Sequence, residues 1–208
     1  MAALVERSRD ATATYTVAKV FSDQPAAAGL ATARNFGIPA EALAGGKDKE
    51  RASYDRALAA AINACSPALI VLAGFMRILS AEFVAAFAGR ILNIHPSLLP
   101  KYPGLHTHSR VIEAREAEHG ATVHFVTEQL DGGPPIIQAR IRVEAGDDEA
   151  SLAARVQAQE HLIYPLAVQW FCEGRLRCED GLAVLDGEVL RVPVQYAGRH
   201  DDRSRRAV

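Results

Sequence analysis

The sequence predicts one α/β domain with a mostly parallel central sheet flanked by helices. Three observations carry this. Strand-like and helix-like runs alternate along nearly the whole chain. The apolar run at 69–72 lacks polar alternation and suits a strand buried on both faces. The 208 residues, 49% of them hydrophobic, suffice for one core, since single domains extend to about 250 residues.

In chain order, residues 16–21 read as a strand, followed by a turn at Ser22-Asp23-Gln24-Pro25. Residues 26–36 read as a helix, with Gly37 as its left-handed stop. A Gly/Lys-rich loop at 45–49 leads into a helix over 50–64, which Ser66-Pro67 ends. After the strand at 69–72 come a short helix at 81–87 and a strand at 91–95. A helix over 109–118 then precedes strands at 121–126 and 136–143. Asp147 or Asp148 caps a long helix reaching Phe171. A hairpin closes the pattern, with 182–185 turning at Asp186-Gly187 into 189–190. The domain is expected over residues 1–198, with 199–208 a charged, disordered tail.

Composition excludes several function classes. A net charge of −2 and the lack of a basic patch interleaved with aromatics argue against nucleic-acid binding. The longest apolar run, 68–76, falls short of the roughly 20 residues that span a bilayer. Cys65, Cys172 and Cys178 are scattered, match no zinc spacing and suit a reducing, cytoplasmic setting.

Chemistry concentrates in ILNIHPSLLPKYPGLHTH, residues 91–108. Alternation along the strand puts Asn93 and His95 on one face. Pro96 ends the strand there, so the pair sits at a C-terminal strand end, where open α/β sheets place ligand crevices. The loop that follows is rich in proline and apolar side chains, as a small-molecule site requires. LDGGP, residues 130–134, adds Asp131 at the head of a Gly-Gly turn. Alone, each motif reads as ordinary structure. Together they supply an amide donor, an imidazole and a carboxylate, a set suited to acyl transfer.

Four blocks, AGFMRILS (73–80), NIHPSLLPKYPGLHTH (93–108), HFVTEQLDGGP (124–134) and QAQEHLIYP (157–165), resemble successive segments of the phosphoribosylglycinamide formyltransferase family. The resemblance runs in order over about residues 1–190. It implies a Rossmann-like formyltransferase fold and a reaction between 10-formyltetrahydrofolate, as co-substrate, and the amine of glycinamide ribonucleotide, without a metal. By resemblance His95 is the protonated donor, Asn93 a second oxyanion donor, and Asp131 the carboxylate that keeps the imidazole charged. The same carry-over gives the folate Met76, Arg77, Ile78, Leu79 and Asn93, and further along Thr127, Glu128, Gln129, Leu130 and Asp131. Arg51 matches an arginine near the folate glutamate tail, with a solvated helix charge as the alternative. Gln157, Ala158, Gln159 and Glu160 match a segment touching the nucleotide substrate, against a plain surface-helix reading. His124 is divided between core packing and support of the site. His106, His108, His119 and His161 read as loop or helix residues.

The sequence departs from the resemblance at its start. Relatives open with an apolar strand and a Gly-x-Gly-Ser-Asn loop that holds the substrate phosphate at a helix N-terminus. Here residues 1–7 align with the helix that follows, so the fold is expected without that first strand and its neighbours' ladder groups without partners. Competing readings are a formyltetrahydrofolate deformylase-like hydrolase, a methionyl-tRNA formyltransferase and a non-catalytic folate-binding remnant. The family allows a homodimer, although no interface stripe is legible.

Overall fold

Helices and strands alternate through most of the computed structural model, which describes residues 1–43 and 51–197. The elements are α1 (Ala2–Arg7), β1 (Val20–Ser22), α2 (Ala28–Asn35), β2 (Ala40–Ala42), α3 (Arg51–Asn63), β3 (Ile70–Leu72), α4 (Ala81–Ala86) and β4 (Ile91–His95). There follow α5 (Thr107–Glu113), β5 (Glu118–Phe125), β6 (Pro135–Arg142), α6 (Glu149–Cys172), β7 (Leu176–Glu179), β8 (Leu182–Leu185), β9 (Glu188–Val189) and β10 (Val194–Gln195). The Gly/Lys-rich loop, Glu50 and the charged tail lie outside the described residues.

Local chemistry accounts for most boundaries. Of the two cap candidates, Asp148 caps α6: its carboxylate accepts from Ser151 N at 2.8 Å, and Ser151 Oγ accepts from Asp148 N at 3.0 Å. Asp147 instead pairs with Arg155 at 2.5 Å. Helix α5 stops earlier than its sequence suggests, because Arg115 adopts φ 52° and breaks the helical path. Strand β1 takes only Val20 and Phe21 of the expected six residues and adds Ser22, for it has a ladder partner only where β2 runs beside it. Strands β2, β7 and β10 are additions that the sequence did not disclose.

The main sheet has the order β10-β6-β5-β4-β3. It is mixed: β3 pairs parallel with β4 and β10 with β6, while β5 runs antiparallel to both of its neighbours. The parallel expectation holds at β3–β4 and gives way at β5; the short 126–134 connection suits the antiparallel β5–β6 pair. Alternation along β4 feeds two cores. Leu92 packs with Val123, Ile137, Ile163 and Val168 beneath α6, whereas Ile91 packs with Tyr54, Leu58 and Phe83 on the opposite face. Tyr164 fastens α6 to the sheet, its hydroxyl 2.7 Å from Leu72 O and 2.9 Å from Leu92 O.

Strands β1 and β2 form a separate parallel pair. A cavity of about 690 Å³, lined by residues that include Val17, Phe21, Ile70 and Val71, lies between that pair and β3. Ladder geometry shows which groups face it. Val20 N donates to Pro39 O and Ser22 O accepts from Leu43 N, so the backbone of Phe21 points away from β2. Ile70 N donates to Arg90 O, which turns Val71 away from β4 by the same alternation. Both walls of the cavity therefore carry outward-facing ladder groups.

Candidate active site

Strand register brings the site together. Asn93 on β4 stands opposite His124 on β5, and His95 stands opposite Thr122. Beyond β5 the chain turns through residues 126–134, where Asp131 takes φ 50°, a region that Asp tolerates better than most residues. The turn must be glycine at 133: a Cβ there would lie 1.9 Å from Phe125 O. This tight return brings Asp131 back beside His95 and His124.

The resulting cluster is buried and hydrogen-bonded. Asp131 Oδ2 lies 3.5 Å from His95 Nδ1 and accepts from Gly104 N at 2.8 Å. His95 Nε2 donates to Tyr102 O at 2.9 Å. Both ring nitrogens of His95 thus face oxygens, the Asp131 carboxylate on one side and the Tyr102 carbonyl on the other. His124 behaves differently. Its Nδ1 donates to Phe125 O at 2.8 Å, which leaves Nε2 as an acceptor for Asn93 Nδ2 at 3.2 Å. Burial holds the His124 pKa below the usual imidazole value, against the pull of its Phe125 bond and of Asp131. The 3.8 Å approach of His124 Nε2 to Asp131 Oδ1 is accordingly not an ion pair. Because His124 accepts, the amide of Asn93 is fixed with one N–H on the ring and the other free to point elsewhere.

The proline-rich loop is anchored from below by polar side chains on the sheet. Thr122 Oγ1 donates to Ser97 O at 2.6 Å and accepts from Leu99 N at 3.1 Å. Gln138 Nε2 donates to Leu99 O at 2.8 Å and to Thr122 Oγ1 at 3.0 Å. Ser97, Thr122 and Gln138 are all buried. Such satisfied buried networks make a loop rigid. Tyr102 and His106 hold left-handed backbone angles within it, the kind of local strain that accompanies functional sites.

The structure gathers Asn93, His95 and Asp131 as the sequence suggests, sets the buried His124 against Asn93, and adds Tyr102 O and Gly104 N. The remaining candidates have distinct settings. Met76 and Ile78 are exposed at 77% and 55%, whereas the Leu79 side chain is buried in the α3–α4 core. Arg77 lies 4.3 Å over the Tyr54 ring and 4.0 Å from Asp23. Arg51 donates a guanidinium N–H to Leu79 O. Thr127 is half-buried, and residues 128–130 form an exposed rim beside Asp131, with Leu130 at 55%. On α6, Gln157 and Ala158 are exposed, while Gln159 and Glu160 are half-buried. Burial raises the Glu160 pKa. His119 is a correction: it is a buried residue of β5, not of a loop or helix, and its Nε2 meets His108 Nδ1 at 3.0 Å. Among the described residues, no group of three or more His, Cys, Asp or Glu could hold a metal ion, and no helix is long and apolar enough to cross a membrane.

Residues 1–168 match the family model described as Formyl transferase. The chain is 54% identical over 180 residues to the phosphoribosylglycinamide formyltransferase of Escherichia coli (strain K12), covering 86% of this chain and 84% of that protein. It is 43% identical over 174 residues to the trifunctional purine biosynthetic protein adenosine-3 of Drosophila melanogaster, covering 83% of this chain and 13% of that protein. Among solved structures, a phosphoribosylglycinamide formyltransferase from Coxiella burnetii superposes with a TM-score of 0.88 at 40% identity, over 93% of this chain and 92% of the other.

Proposed function

The chain belongs to the formyl transferase family, and from that premise we propose that it moves the formyl group of 10-formyltetrahydrofolate onto the primary amine of glycinamide ribonucleotide in purine biosynthesis. The observation that carries the site assignment is the meeting of Asn93 and His95, both on β4, with Asp131 from the turn after β5.

The chemistry needs a neutral amine to attack the formyl carbon. A carbon–nitrogen bond forms, and the carbonyl oxygen becomes a tetrahedral oxyanion. Donors already in place lower that barrier because they do not reorganise as charge develops. The free N–H of Asn93 is one such donor. The Nε2–H of His95, which rests on Tyr102 O, is the transferable proton. The amine then loses a proton, the folate nitrogen gains one, and the bond between formyl carbon and folate nitrogen breaks. Asp131, 3.5 Å from His95 Nδ1, stabilises the imidazolium and releases that support as the proton leaves.

The two substrates approach from different elements in this reading. Arg51, Met76, Arg77, Ile78 and Leu79 with residues 127–131 form the folate side, where exposed apolar side chains cover a flat ring. Gln157, Ala158, Gln159 and Glu160 form the nucleotide side. A coupled assay tests the whole: folate product should appear only when both 10-formyltetrahydrofolate and glycinamide ribonucleotide are present. Formate release at the same rate without the nucleotide would instead make the chain a hydrolase.

A further inference from the structure

We propose that Gln138 is a positioning residue for formyl transfer: from β6 it fixes the loop after β4 so that Tyr102 O meets the transferable proton of His95. The inference rests on the acid–base reading above. It adds a side chain that acts on His95 only through the backbone between Leu99 and Tyr102.

The polarity of the Gln138 amide is set from the far edge of the sheet. Arg140 Nε donates to Gln195 Oε1 at 2.7 Å, and a guanidinium can only donate. The Gln195 amide therefore turns its nitrogen elsewhere, and that nitrogen donates to Gln138 Oε1 at 3.4 Å. With its oxygen toward β10, Gln138 has both N–H groups for the loop side. One goes to Leu99 O at 2.8 Å and the other to Thr122 Oγ1 at 3.0 Å. Thr122 accepts there and from Leu99 N, so its own proton goes to Ser97 O. Ser97 Oγ in turn donates to Lys101 O at 2.6 Å. Backbone groups of Ser97, Leu99 and Lys101 are thus tied down in one directional chain. The next carbonyl, that of Tyr102, is the one that His95 Nε2 meets at 2.9 Å.

Packing alone does not call for an amide at this position. Gln138 is 2% exposed and follows Ile136 and Ile137 and precedes Ala139 on β6, all of them buried. An apolar side chain of similar size would fill the space without the cost of taking an amide out of water. What the amide supplies is a donor to Leu99 O, the carbonyl of a buried residue. Without that donor the carbonyl would lack a partner, and the loop would shift to find water. Tyr102 lies three residues further on, so the shift would pass to the bond that holds the His95 ring. A displacement of about 1 Å at a reacting group slows the chemistry about 10²-fold. The folate side, residues 76–79 and 127–130, lies on other segments, so co-substrate binding should be spared.

Two variants separate the donor from packing. Gln138→Met keeps the bulk and removes the donor. Gln138→Glu keeps the bulk but can donate only when the introduced carboxyl is protonated, a form that burial favours as pH falls. Formyl transfer to glycinamide ribonucleotide would be measured at steady state over about pH 6 to 8.5, beside hydrogen exchange of the Gly104 amide without substrates. Gln138→Met should lower kcat about ten- to a hundredfold at every pH, with KM for 10-formyltetrahydrofolate within about twofold of wild type. Its Gly104 amide, which donates to Asp131, should exchange at least about tenfold faster. For Gln138→Glu, kcat relative to wild type should rise at least about fivefold from the alkaline to the acid end. Taking that ratio cancels the titration of His95, His108, His119 and His124, which both chains share. Wild-type kcat in Gln138→Met, or a Gln138→Glu ratio that stays flat with pH, would overturn the inference. If the wild-type chain transfers no formyl group, the acid–base reading fails and Gly104 exchange alone decides the loop role. Equal exchange in wild type and Gln138→Met would then remove Gln138 from it.

Discussion

The two sides of β3 are built differently. Toward β4 and β5 the backbone ladder is continuous, and buried side chains from Thr122 and Gln138 reach up to fasten the loop above it. Toward β1 the ladder stops at a cavity of about 690 Å³, and the three residues of β1 find a partner only in β2. All the acid–base groups lie on the first side. Side chains carried on strands are held more precisely than those on loops, and Asn93 and His95 stand on β4, which is paired on both sides.

Breaking the site on the ordered side should have the largest effect. Asp131→Asn keeps an oxygen for Gly104 N, so the loop stays in place, but it removes the charge beside His95 Nδ1. Turnover should fall about 10²- to 10⁴-fold, the usual worth of one acid–base group, while folate affinity changes little. Steady-state rates beside calorimetric binding would separate the two. Unchanged turnover would show the proton-handling role to be misassigned.

A stability comparison sharpens the contrast between the two sides. Leu92 is 0% exposed at the centre of the ordered side, and Leu92→Ala should cost about 2–5 kcal/mol. Phe21 on β1 is only half-buried and borders the cavity; Phe21→Ala should cost about 1 kcal/mol, typical of a partly buried position. Urea midpoints at constant m-value would measure both. Equal losses would mean that β1 belongs to the same cooperative core as β4.

How much of this was legible in the sequence follows from the range of each interaction. Strand β4 agrees with its expected bounds, 91–95, because alternation and Pro96 are local signals. The shared face of Asn93 and His95, the Asp131 turn and the α6 cap are likewise written within a few residues. The contact between Asn93 and His124 is not, since it depends on the register between strands 31 residues apart. The partner of Arg51 lies 28 residues away, at a backbone carbonyl that no residue type announces. Strand β10 has two residues and pairs with β6 across α6 and the β7–β9 hairpin, so no periodicity could mark it. The length of β1 was overestimated for a related reason: an apolar, β-branched run shows that a strand can form there, not that a neighbour is present to pair with it.

Titration probes the ordered side alone. Burial, with help from His108 and His95, pushes the His119 pKa down to about 4, and His108 and His124 are lowered as well, chiefly by burial. The unfolded chain has ordinary imidazoles near 6.5, so between those values it binds more protons than the folded one. The stabilisation is therefore complete above about pH 6.5 and is lost as pH falls toward 4. Glu160, whose pKa burial raises, acts in the opposite sense in part of that window. The comparison that isolates the histidine is thus His119→Asn against wild type, with urea midpoints at pH 7.5 and 5. The variant should lose less stability on acidification.

The smallest effect expected is at single amides, and it tests the boundary itself. Ile70 N is bonded to Arg90 O, whereas ladder alternation turns the Val71 amide toward the cavity. Adjacent residues in one short strand should then exchange hydrogen at different rates, with Val71 at least about tenfold faster than Ile70, because a local opening releases an unpaired amide at little cost. Along β4 no such alternation should occur, since Leu92 and Asn93 have strands on both sides. Protection of Val71 equal to that of Ile70 would mean that a partner group closes the cavity in solution, and the contrast between the two sides of β3 would then vanish.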